Sequence, residues 1–147
     1  SPTSGWEQAK EALPKVGVWT SFDASPRGPI GRASIEFGEK MQKEDGRKGT
    51  SEAARHVAWQ VLLTLKYDAK TAKQIGDIHE RYSDDPEDTA RDLYNNIVGR
   101  RIGREIRDKF DDPWGNKEAA KEVRRKIEEA LENDEVVRSK DDPRLGR

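Results

Sequence analysis

Residues 51–109 read SEAARHVAWQVLLTLKYDAKTAKQIGDIHERYSDDPEDTARDLYNNIVGRRIGREIRDK, and this stretch decides the fold. Val57, Val61 and Leu65 recur at four-residue spacing, which predicts a helix from an N-cap at Ser51 to about Tyr67. Asp68 is placed to cap a second helix, Ala69 to about Tyr82. Asp84 or Asp85 followed by Pro86 starts a third, because proline is preorganised for a first helical turn. That helix extends to Lys109, where Asp111-Asp112-Pro113 breaks it.

Outside this region the signals are weaker. A short helix is expected around Trp6 to Leu13, stopping near Pro14, and another over Arg32 to Lys43. The best strand candidate is Val16 to Phe22, ahead of the turn-formers Pro26, Gly28, Pro29 and Gly31. Residues 44–50 read as a loop. A last amphipathic helix, Lys117 to Glu132, places Ala120, Val123, Ile127 and Leu131 on one side. The tail, 133–147, has little to bury and is expected to be loose. The fold class is therefore mainly α. A single domain over 1–147 is expected, with about five helices: N-terminal helices and loops in 1–50, a three-helix site region in 51–109, and the final helix in 117–132.

Bulk composition narrows the function classes. The length suits one core rather than two. Only 32% of the 147 residues are hydrophobic and 39% are charged, so the core is small and the surface heavily solvated. The 28 basic and 29 acidic residues nearly cancel, which argues against gripping duplex nucleic acid by overall field. A local basic patch from Arg100, Arg101, Arg104 and Arg107 is still open. With no cysteine, disulfides, thiolate-bound zinc and thiol nucleophiles are excluded. No apolar run approaches the ~20 residues that span a bilayer, and no signal-peptide pattern is present. The chain begins Ser-Pro-Thr-Ser-Gly, and is read as a piece of something longer.

The candidate site lies in the middle third. His56, Trp59, Gln60 and Leu63 share one helical face, and His79 shares another with Ala72, Ile75 and Gly76, with Glu80 beside it. A buried histidine next to a carboxylate serves as general base, as metal ligand, or simply as a satisfied core group. On the third helix Asp92, Asn95, Asn96, Gly99 and Gly103 form one stripe, opposite Ala90, Leu93, Tyr94 and Ile97. Asparagine and glycine each cost roughly 0.5–1 kcal/mol against alanine in a helix, so their choice points to another demand on that face. That demand is a site or a tight helix contact. Arg55 and Arg100 frame the region, and their planar forks suit phosphate or carboxylate, or pairing with neighbouring acids. His79-Glu80 lacks the second histidine of a His-Glu-x-x-His site, since Ser83 holds that place. His56, His79, Glu80 and Asp92 are nevertheless ligand types that suit zinc or manganese, so a divalent metal stays open as cofactor.

The series Arg55-His56-x-x-Trp59, His79-Glu80 and Asp92-Leu93-Tyr94-Asn95-Asn96-x-x-Gly99-Arg100 resembles a bacterial domain of unknown function found at the C-terminal ends of large secreted proteins, including polymorphic toxins. The resemblance covers about 50 residues. It implies an antibacterial effector, secreted or delivered into a target bacterium. Its partners would be a larger carrier polypeptide or secretion apparatus, and an immunity protein. The expected activity is hydrolysis of a phosphate-containing substrate, such as a lipid-linked cell-wall precursor or a phospholipid. In that reading His56, His79, Glu80 and Asp92 carry the chemistry, and Arg55, Asn95, Asn96 and Arg100 hold substrate. Two alternatives are peptidoglycan cleavage with Glu80 as general acid, and a non-enzymatic module docking through the Asp/Asn/Gly face.

Overall fold

The helix from Thr50 to Lys66 is buried on almost every side, and the rest of the chain is arranged to cover it. Its apolar residues are not confined to one stripe: Ala53, Ala54, Val57, Ala58, Trp59, Val61, Leu63 and Leu65 are all buried. A helix of that kind cannot face water and becomes the axis of the domain. A computed structural model describes residues 2–146, with side chains from Glu7 to Gly146. Seven α-helices are present among them: α1 (Pro2–Val16), α2 (Val18–Ala24), α3 (Pro29–Asp45), α4 (Thr50–Lys66), α5 (Ala69–Arg81), α6 (Pro86–Lys109) and α7 (Lys117–Glu132), followed by a 3₁₀ turn at Pro143–Leu145. Helices α3, α5, α6 and α7 all pack against α4, while α1 lies on α5 and α2. One apolar cluster joins α4, α6 and α7 through Val57, Val61, Ile102, Ile106 and Ile127. A second joins α2, α3, α4 and α5 through Ala24, Ile30, Trp59, Leu63 and Ile75. None of the helices is long and apolar enough to cross a membrane.

Local chemistry sets the later boundaries. The Asp68 carboxylate accepts from Thr71 N, that of Asp85 from Glu87 N, and the Asn116 side chain from Glu118 N and Ala119 N. Each satisfies amides that the first turn leaves without an intrahelical acceptor. Ser51, however, is not a cap. Helix α4 begins at Thr50 after Gly49, whose φ is 87°, and Ser51 N donates to Gln42 Oε1 of α3 at 3.0 Å. A neighbouring helix thus supplies the acceptor expected from a local side chain.

Two further expectations are corrected. Residues 16–22 do not form a strand: Gly17, with φ of 88°, breaks α1 from α2, and the chain coils into helix from Val18. No strand exists among the described residues to receive a ladder, and an unpaired strand would leave its backbone groups unsatisfied. The tail is not loose either. Val136 and Val137 are fully buried, and Arg138 ties the segment to Asp45 and to the Leu131 carbonyl.

Helix α6 carries its polar stripe inward. Asp92, Asn95, Asn96, Gly99 and Gly103 are buried, whereas Ile97 is 57% exposed. The glycines allow close approach to α4. A Cβ on Gly99 would lie 2.5 Å from the Val57 carbonyl oxygen, and one on Gly103 2.6 Å from Thr64 Cβ. The docking face expected on this stripe is therefore occupied within the fold. Most of the suspected basic patch is engaged within the fold: Arg100 is buried, Arg101 pairs with Glu135, and Arg107 donates to the carbonyls of Thr64 and Tyr67, while Arg104 is exposed.

Candidate functional site

Helices α4, α5 and α6 converge at His56. Its position on α4 directs the ring toward α6, where two polar residues one turn apart meet it. Asn96 Oδ1 lies 3.2 Å from His56 Nδ1, and Asp92 Oδ2 lies 3.3 Å from Nε2. The Asp92 carboxylate is in turn held by Arg91, whose Nε donates to Oδ1 at 3.1 Å. On α4 itself, Glu52 sits one turn before His56 and accepts from Arg55 at 2.9 Å. The same guanidinium reaches to 3.4 Å from His56 Nε2.

His79 comes from α5. Its ring centroid is 6.2 Å from that of His56 and 5.4 Å from that of Trp59. Its Nδ1 faces Gln8 Oε1 of α1 at 3.1 Å, a contact that places the proton on Nδ1 and leaves the Nε2 lone pair available. Trp59 is fixed by donating its indole N–H to the Ala24 carbonyl at 2.9 Å.

Gln8, Arg55, His56, Trp59 and His79 border a cavity of about 350 Å³ among α1 to α5. Its walls are chiefly apolar, from Ala12, Pro26, Ile35, Trp59, Ile75 and Ile78. The charged or titratable groups on the wall are Arg55, His56 and His79, with no carboxylate among the lining residues.

Burial dominates the electrostatics. His56 is 2% exposed, and desolvation, reinforced by Arg55 and His79, pushes its pKa down to about 3. The same burial raises Asp92, against the pull of Arg91 and Arg55. With His56 neutral, the close His56–Asp92 contact is not an ordinary ion pair. Desolvation and the Arg55 charge also hold His79 below its usual value, so its ring is neutral at pH 7. Glu80, 5% exposed, is pushed up to about 8 by burial and by the Asp92 charge, and its Oε2 has no hydrogen-bond partner.

The family model for a domain of unknown function, DUF6973, matches residues 23–133. The chain belongs to this family. No curated protein and no solved structure matches the chain. The part of the DUF6973 domain that the family model covers contains α3 to α7, and with them every site residue named above except Gln8 and the wall residue Ala12.

Of the residues expected at the site in the DUF6973 domain, Arg55, His56 and His79 line the cavity, Asp92 and Asn96 hold His56 from α6, and Glu80 is buried off the wall. Two others are turned elsewhere. Asn95 exchanges hydrogen bonds with Val137 of the tail, and Arg100 donates to Gln60 Oε1 at 2.6 Å, so neither lines the cavity. Asn95 and Asn96 are adjacent, and about 100° of helical rotation sends one to the tail and the other to His56. The expected metal ligand set also changes. Glu52, His56 and Asp92 each offer an atom within 4.8 Å of the others, without His79 or Glu80. Glu52, Arg91 and Gln8 were missed. The Glu52-x-x-x-His56 spacing was the available signal for the first, since it puts both side chains on one helical face.

Proposed function

We propose that the DUF6973 domain is a hydrolase for an anionic, phosphate-containing amphiphile, such as a phospholipid or a lipid-linked cell-wall precursor. The observation that carries this reading is the cavity wall, where an apolar surface meets Arg55, His56 and His79 with no carboxylate. Apolar walls suit a lipid chain, and a guanidinium beside neutral imidazoles suits a phosphate group. Arg55 holds the phosphate. His79 Nε2 accepts a proton from water as its oxygen attacks phosphorus, and the leaving oxygen departs with the bonding electron pair and is protonated by solvent. Trp59 and Gln8 keep the His79 ring in place, and Asn96 orients His56.

The likeness to C-terminal toxin domains supports an antibacterial role, with delivery by a larger carrier and neutralisation by an immunity protein. Peptidoglycan cleavage draws less support. Its general acid would be Glu80, which is buried and absent from the cavity wall. The inward-facing glycine stripe likewise gives little support to a docking module.

Purified domain incubated with phospholipid vesicles and with lipid-linked precursor should yield phosphate-bearing products detectable by mass spectrometry. Expression in the bacterial cytoplasm or periplasm should be toxic, and His79→Ala should abolish both effects in a folded domain. Absence of product from either substrate, with toxicity unchanged in His79→Ala, overturns the reading.

A further inference from the structure

We propose that Glu52, His56 and Asp92 form a binding site for one first-row transition dication, Mn²⁺ or Zn²⁺, beside the cavity wall at His56. This deepens the hydrolase reading by assigning that site a metal, yet it rests on coordination chemistry alone. The His56 Nε2 and Asp92 Oδ2 atoms face each other at 3.3 Å, and Glu52 brings a third ligand atom within 4.8 Å of both. Metal–ligand bonds of about 2.0–2.2 Å require ligand atoms roughly 3–3.5 Å apart, so the His56–Asp92 spacing already fits. The Glu52 side chain is 40% exposed and has room to draw in.

Two of the three ligands, His56 and Asp92, are also oriented from behind. The Asn96 carbonyl holds His56 Nδ1, which turns the Nε2 lone pair toward Asp92. Arg91 takes Asp92 Oδ1 and leaves Oδ2 facing the histidine. Such outer partners fix tautomer and geometry at metal centres. One imidazole with two carboxylates suits manganese or zinc better than calcium, and three protein ligands leave positions for water or substrate.

Arg55 makes the proposal sharper. Its guanidinium contacts Glu52 at 2.9 Å and approaches His56 Nε2 to 3.4 Å, so it competes with a dication for two of the three ligands. Metal entry displaces it toward the cavity that it already lines.

The test is titration of metal-depleted protein with Mn²⁺, followed by electron paramagnetic resonance, and with Zn²⁺ against a chromophoric chelator. One equivalent should bind. Glu52→Gln and Asp92→Asn should each weaken binding by more than about tenfold, whereas Arg55→Gln should tighten it. Circular dichroism and urea midpoints establish folding, and the half-exposed Glu52 retains the test if Asp92→Asn does not fold. Absence of stoichiometric binding, or affinity unchanged in Glu52→Gln, overturns the site. Stoichiometric metal with no phosphate product would instead sink the hydrolase reading alone. Product formation that survives chelation, without metal binding, would sink the metal site alone.

Discussion

Asn95 and Val137 are joined by a reciprocal pair of hydrogen bonds. Asn95 Nδ2 donates to the Val137 carbonyl and Val137 N donates to Asn95 Oδ1, both at 2.8 Å, across 42 residues of chain. The amide side chain thus imitates a neighbouring strand and satisfies both backbone groups of a fully buried residue. Asn95→Ala leaves those two groups without partners. It should cost about 2–4 kcal/mol in urea unfolding and accelerate hydrogen exchange at Val137. An unchanged unfolding midpoint would show the tail to be dispensable.

Gly99→Ala tests the close contact of α6 with α4. The added methyl would meet the Val57 carbonyl oxygen at 2.5 Å and Gln60 Cβ at 2.7 Å, both on a buried helix. Helix propensity favours alanine by about 1 kcal/mol, but overpacking of this kind costs typically 1–3 kcal/mol. Net destabilisation is expected in chemical denaturation. A more stable Gly99→Ala variant would mean that the two helices separate easily.

Glu80 should impose a pH dependence on stability. Its folded pKa of about 8 lies above the ordinary 4.5, so folding favours the neutral carboxyl. That contribution is complete below about pH 4.5 and is lost as pH rises through about 8. Glu80→Gln lacks the ionisable group. Relative to the parent it should gain stability across this window by on the order of a few kcal/mol, levelling above pH 8. Parallel stability curves for the two proteins from pH 4 to 9 would contradict the assignment.

Hydrolysis with His79 as the base should follow a limb on the acid side with its midpoint below 6.5, because burial and Arg55 lower the imidazole pKa. Above that midpoint the rate should be flat through neutrality. His79→Gln should reduce kcat by roughly 10²–10⁴-fold and erase the acid limb. Retention of the limb in His79→Gln would transfer the base role elsewhere.

The legible parts of this fold are those whose causes are local. Asp68, and Asp85 with Pro86, announce their helices within a turn, and α5 and α6 start where those residues indicate. The 16–22 segment and the tail misled because their states depend on distant partners. Val136 and Val137 look like a minor apolar pair until Asn95 supplies their anchor. The candidate site divides in the same way. Residues set against helix propensity, Asp92 and Asn96, stood out on α6 and do meet His56. Glu52 reads as an ordinary acid in the first turn of a helix, where the dipole favours one, so its four-residue spacing to His56 is the one trace of its ligand geometry.

The enclosure of α4 has a kinetic consequence. Glu52, Arg55, His56 and Trp59 ride on that one helix, while Asp92, Asn96 and His79 arrive on α6 and α5. A partly folded chain with α4 already coiled would still hold only half the constellation, so it would be chemically silent. Function should return, after dilution from denaturant, with the docking of α6 and not with the earlier gain of helical signal. A chain passing unfolded through a narrow channel would in this way carry no assembled site until its last layers close.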